Sequence, residues 1–261
     1  MTIYESIKYE KSFLNQVILR FDFLQFAPTD HVFTNEIEMS ILRYFPRRGM
    51  DQIIRINAIN VVFDPNNPSA QSAHGEYQDG IQREYFSSSQ KNKLILSNKF
   101  LIFEINEYSD FEELQQWLQG IVMPFFIKNK LTVVRTGIRY INIFSSDKIR
   151  IRKNLFSPEI AATLNTNGFQ ENSAVNLTRS MHVTEYQVNG MHLNFRYGLF
   201  NPQYPNQLVD NSFALDYDCY SEEPIEVADG LLRCIEKGHD TIQMLFESSI
   251  TEALRKVMRN E

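Results

Sequence analysis

From Gln16 to Phe26 apolar and polar side chains alternate. Val17, Leu19, Phe21 and Phe23 fall on one face, and Ile18, Arg20 and Asp22 on the other. A period of two predicts a strand with one buried face. Asp51 to Phe63 predicts a second strand. Ile81 to Ser88, Lys93 to Ser97 and Phe100 to Asn106 predict three more, with a turn at Ser97-Asn98-Lys99. Leu131 to Phe144, Ala174 to Val188, Met191 to Leu199 and Ser212 to Tyr220 complete the strands. Asn189-Gly190 sits between two of them, and that dipeptide favours the positive backbone angles of a tight hairpin. The polar stretch from Asp64 to Gly80 predicts a long loop.

A period near 3.6 marks the helices. Thr34 or Asn35 caps a short one over Glu36 to Tyr44, ended by Pro46. Asp110 caps another from Phe111 to about Lys128, with Phe111, Leu114, Leu118, Ile121, Val122 and Phe125 on one stripe. Pro124 inside it predicts a kink or an early end. Pro158 to Leu164 predicts a short helix, Ile225 to Phe246 a long one, and Ile250 to Met258 a last one. The fold class is α+β, with mainly antiparallel sheet packed by long helices. The polar run Asn165 to Ser173 favours a division into units 1–150 and 151–261, or one continuous domain.

These units share features. Phe100 to Tyr108 and Phe213 to Tyr220 are aromatic strands that each lead through an acidic turn into a long helix. Arg135-Thr136-Gly137-Ile138 resembles Arg196-Tyr197-Gly198-Leu199. An internal duplication into two related halves is therefore expected, although their order of elements differs as read from sequence.

Composition narrows the function. The chain has 261 residues, 20 Phe and 12 Tyr but only 10 Gly, which suits aromatic strands better than a glycine-rich nucleotide-binding fold. Its formal charge of −6 disfavours indiscriminate nucleic-acid binding. The N-terminus lacks the pattern of a secretory signal, and no stretch is long and apolar enough for a spanning helix. A cytoplasmic protein with no membrane association is expected. Cys219 and Cys234 read as buried small hydrophobes.

The run Val134 to Ile143 carries Arg135 and Arg139 inside an apolar, β-branched strand. Unpaired buried cations are costly, so these arginines must find partners. Alternation puts Arg135, Gly137 and Arg139 on one face. The first expectation is pairing with carboxylates such as Glu104, Asp216 or Asp218. The sharper alternative is an anion-binding groove, with Gly137 leaving an open spot between two guanidiniums. Basic residues cluster from Lys128 to Lys153, giving a strip that could meet nucleic acid or could guard a sheet edge. Asp216 and Asp218 share a face and could hold a divalent ion for hydrolysis, a weak signal for that spacing.

His182 and His192 could be neighbours across the Asn189-Gly190 hairpin. His239, after Gly238, reads as a polar-face or interface residue. No zinc set, phosphate loop or nucleophile motif is present, so no cofactor and no catalytic residue are nominated. The apolar run Ile242 to Leu254 needs a covering surface, in the core or in a dimer.

Several signatures together resemble a sporadically distributed bacterial family of unknown function. They are Tyr44-Phe45-Pro46, Arg135-Thr136-Gly137-Ile138-Arg139-Tyr140-Ile141-Asn142, Leu215-Asp216-Tyr217-Asp218 and Phe246-Glu247-Ser248-Ser249-Ile250-Thr251. The resemblance spans nearly the whole chain, and the arginine–glycine signature is its most specific part. The longer polar loop at Asp64 to Gly80 departs from it. The resemblance implies no activity and no functional residues. A patchy distribution implies a setting such as phage defence or toxin–antitoxin. The leading expectation is thus a non-enzymatic interaction or scaffold protein, as a homo-oligomer or with a heteromeric protein partner. Alternatives are an anion or nucleic-acid module using Arg135 and Arg139, with Arg196 as their counterpart, and a metal-dependent hydrolase using Asp216 and Asp218.

Overall fold

The computed structural model describes residues 9–62, 72–145, 147–164, 176–208 and 212–261, with side chains described outside 56–78. Its strands are β1 (Leu14–Phe23), β2 (Arg47–Arg48), β3 (Gln52–Val62), β4 (Ser72–Phe86), β5 (Asn92–Ser97), β6 (Phe100–Ile105), β7 (Val133–Phe144), β8 (Ser180–Val188), β9 (Met191–Phe200) and β10 (Ser212–Ser221). Its helices are α1 (Thr29–Val32), α2 (Asn35–Leu42), α3 (Phe111–Trp117), α4 (Met123–Asn129), α5 (Pro158–Ala162), α6 (Ala228–Ser249) and α7 (Glu252–Met258). The fold is α+β, as expected from the alternation of periods.

The strands form one antiparallel sheet in the order β2-β4-β5-β6-β1-β7-β10-β9-β8, with β3 also pairing β4. β1, the first strand among the described residues, lies in the middle of the sheet between β6 and β7. The sheet runs without interruption across residue 150, because β7 pairs with β1 on one side and β10 on the other. β6 lies beside β1 as β10 lies beside β7. Apart from β2 and β3, the series β1 to α4 and the series β7 to α7 follow the same succession: one strand, helix, three strands, helix.

One sheet face carries the core. Val17, Leu19 and Phe21 of β1, Leu101 and Phe103 of β6, Ile138 and Phe144 of β7, and Leu215 and Tyr217 of β10 are buried on it. The helices pack there. Trp117 of α3 stacks on Phe103 at 5.9 Å, and Phe45 meets its edge at 5.1 Å. Gly238 of α6 lies so close to β7 that a Cβ would sit 2.7 Å from Ile138 Cγ2. The opposite face carries Ile18, Arg20, Arg135, Arg139, Asp216 and Asp218. Among the described residues no helix is seen packed on it, the usual arrangement for a two-layer antiparallel domain.

Local chemistry explains the element ends. Thr34 accepts from Ile37 N–H and Asp110 from Glu113 N–H, satisfying donors at the starts of α2 and α3. Pro124 falls in the first turn of α4, and the preceding Leu118–Val122 turn widens into a π-helix. Widening accommodates a residue that cannot donate and whose ring crowds the preceding turn. Asn189 and Gly190 have φ of 54° and 77°, both positive as a type I′ hairpin requires.

The predicted loop Asp64 to Gly80 needs correction. Ser72–Phe86 is strand, paired residue for residue with β3 from Gln52↔Gln82 to Val62↔Ser72. The remainder of that prediction, and the polar run Asn165 to Ser173, lie outside the described residues.

Candidate functional site

The nominated arginines and aspartates meet on the open face, across β7, β10 and β9. Arg139 stands directly opposite Asp218 in register, yet its guanidinium reaches the diagonal neighbour Asp216. Its Nε donates to Asp216 Oδ1 at 2.7 Å and its terminal nitrogen to Oδ2 at 2.6 Å. This is the two-pronged geometry that matches a guanidinium to a carboxylate. Arg196, on the other flank, donates to Asp216 Oδ2 at 3.3 Å. Asp216 is left only 6% exposed.

Asp218 is held more loosely, with Arg135 at 3.9 Å. Burial pushes its carboxyl pKa up, against the pull of Arg135, Arg139 and Arg196. Of the three acids expected as partners, Glu104 is elsewhere, 3.1 Å from Lys93.

Gly137 does not leave an open spot. Tyr220 stands opposite it, and a Cβ on Gly137 would lie 2.9 Å from Tyr220 Cβ. The Tyr220 ring carries the Arg135 guanidinium at 4.0 Å on one side and stacks with His192 at 5.1 Å. Arg135 Nε is buried there without a hydrogen-bond partner. The glycine is therefore needed as a floor beneath an aromatic and cationic stack.

The other nominations separate. His182 pairs in register with Tyr197 and His192 with Gln187, which places the two histidines on opposite faces of the hairpin. Lys128 turns to the helix layer, where it binds Glu36 and donates to Thr34 Oγ1 at 3.2 Å. Arg135 and Arg139 face the other way, so the basic strip does not form one surface. Among the described residues, no group of three His, Cys, Asp or Glu is placed to hold a metal. A divalent ion at Asp216 would have to displace two arginines. Cys219 and Cys234 are free thiols, and burial raises their pKa to about 12 and about 11.

One polar cluster escaped the sequence reading. His239 Nδ1 lies 2.8 Å from Tyr140 Oη, which lies 3.4 Å from Tyr108 Oη, and Phe111 stacks flat on the imidazole at 3.9 Å. The available signal was alternation, which turns Tyr140 to the core face beside Arg139. Burial lowers the His239 pKa from 6.5 to about 4. Between those values the unfolded chain binds the extra proton and the folded one does not. Stability should therefore fall as pH drops from about 6.5 toward about 4. His239→Gln should flatten that part of a urea-denaturation pH profile. An unchanged slope would assign it to other groups.

No protein-family model matches the chain, and no curated protein matches it. The site must be read from its own chemistry. Arginine and aspartate pair across three strands, so this face is braced. At the far side of the sheet, β8 ends the strand order. Val183 and Tyr186 of β8 are 60% and 46% exposed, on opposite faces.

Proposed function

We propose that this is a non-enzymatic interaction protein that takes a partner protein onto the free edge of β8. The observation that carries the reading is that edge itself. β8 pairs with β9 over nine consecutive positions without a bulge, and no strand among the described residues pairs with its other side. Natural sheets guard such edges with lysine, proline, bulges or very short strands. Ser180-Met181-His182-Val183-Thr184-Glu185-Tyr186-Gln187-Val188 has no lysine, arginine or proline. Its open N–H and C=O groups suit strand addition, in which backbone bonds supply affinity and alternate side chains supply specificity.

The resemblance to a sporadically distributed bacterial family supports a bacterial complex of the phage-defence or toxin–antitoxin kind. The matching succession of elements around β1 and β7 supports two related halves. No helix among the described residues is long and apolar enough to cross a membrane. Affinity capture with the tagged protein, scored by mass spectrometry, tests the reading. A specific protein should be retained by the wild type and lost with Tyr186→Lys. Retention that is indifferent to the substitution would count against it.

A second reading has one observation in its favour. Three arginines surround two aspartates, leaving surplus positive charge near Arg135, whose Nε lacks a partner. That arrangement suits weak contact with an anion or nucleic acid. Binding should then weaken steeply with salt and with Arg135→Ala.

A further inference from the structure

Resting on that strand-addition reading, we infer that the partner at β8 is a second copy of this chain, paired antiparallel about a two-fold axis at Thr184. Sheet geometry limits the choices. A two-fold normal to the sheet sets core face beside core face, so each residue must meet a residue of the same parity. Few registers remain. Centring on Glu185 opposes two like charges. Centring on Val183 leaves part of the strand unpaired. Centring on Thr184 pairs every residue of β8, from Ser180 against the partner's Val188 onward.

Side chains select the same register. On the core face, aromatic rings form a column leading outward across the sheet. Tyr217 stacks on Phe195 at 4.5 Å, Phe195 on Tyr197 at 4.7 Å, and Tyr197 on His182 at 5.5 Å. The column stops at the edge, at exposed His182. Tyr186 lies exposed on the same face with no ring beside it on β9, where its neighbour is Leu193. In the Thr184 register, His182 meets the partner's Tyr186, and Tyr186 meets the partner's His182. Each column gains its next ring.

The open face is complementary as well. Val183 stands beside Arg196 of β9. The register brings the partner's Glu185 to the other side of Val183, in line with Arg196. Glu185 is the one acid of β8, and the pairing sets it toward a cation twice over. A foreign strand would need to supply an aromatic and an acid at these two positions. A second copy supplies both by symmetry.

The full chain tests this by symmetric crosslinking and mass. Opposed residues at the axis lie about 4.5–5.5 Å apart by Cα, within disulfide range, whereas residues displaced along the strand fall outside it. Under mild oxidation Thr184→Cys should form a covalent dimer, while Val183→Cys and Tyr186→Cys should not. Sedimentation equilibrium should give a dimer for the wild type and a folded monomer for Tyr186→Lys. A Val183→Cys dimer without a Thr184→Cys dimer would overturn the register. A wild-type monomer that does not crosslink at Thr184 would overturn self-pairing. In that case, capture of a different protein lost with Tyr186→Lys would leave the strand-addition reading standing. Capture of nothing that depends on Tyr186 would remove that reading too.

Discussion

Gly198→Ala should strip β8 from the sheet and leave the remaining strands folded. Gly198 has φ of 146°, a conformation that side-chain-bearing residues rarely adopt. Its backbone passes so close to β8 that an added Cβ would lie 2.0 Å from the Ser180 carbonyl oxygen and 3.0 Å from Met181 Cα. These are backbone atoms held by the ladder, so no side-chain rotation relieves the contact. Backbone strain alone is about 1–3 kcal/mol. The overlap adds to it, because β8 and β9 must move apart to admit the Cβ. Amide hydrogen exchange should show protection lost along Ser180–Val188, with β10 amides still protected. Gly190→Ala is the control. Its φ of 77° is also positive, but nothing lies within 4 Å, so the cost should stay near 1–2 kcal/mol. Equal effects at the two glycines would show that conformation alone matters and close approach does not.

Arg139→Ala should lower stability by about 2 kcal/mol. Removing one member of a fully buried ion pair costs about 3–5 kcal/mol, because the abandoned charge stays desolvated. Here the abandoned carboxylate is buried, with a side chain 9% exposed, but Arg139 itself is one-third exposed and water screens part of the interaction. Arg196, 3.3 Å from the same carboxylate, softens the loss further. Chemical denaturation measures the change directly. A double-mutant cycle with Asp216→Ala should return a coupling of about 1 kcal/mol or more, as contacting charged residues do. A variant with wild-type stability that has lost a ligand would reassign the arginines from bracing to binding.

Much of this architecture is legible in the sequence because its signals are local. Alternation marks β1 and β7, Asn189-Gly190 marks the hairpin, and Thr34 and Asp110 mark helix starts. What stays hidden depends on distant partners. Ser72 to Gly80 has the composition of a loop, and only its register with β3 makes it a strand. Alternation places Arg135 and Arg139 on one face, but choosing Asp216 over Glu104 requires knowing that β10, and not β6, lies beside β7. Gly137 looks open along its own strand and is closed by Tyr220 from the next. The similarity of Arg135-Thr136-Gly137 to Arg196-Tyr197-Gly198 likewise hides two jobs. Gly137 makes room for a ring, whereas Gly198 makes room for a backbone.

The central place of β1 sets the order of assembly on the ribosome. Its neighbours are β6 and β7, so β1 must wait for residues 100–105 on one edge and 133–144 on the other. Until β7 emerges, Val17, Leu19 and Phe21 have half a sheet to lie in. Pairings of such long sequence separation close slowly. The nascent chain should therefore gain its native core late, only once β7 has emerged to pair with β1.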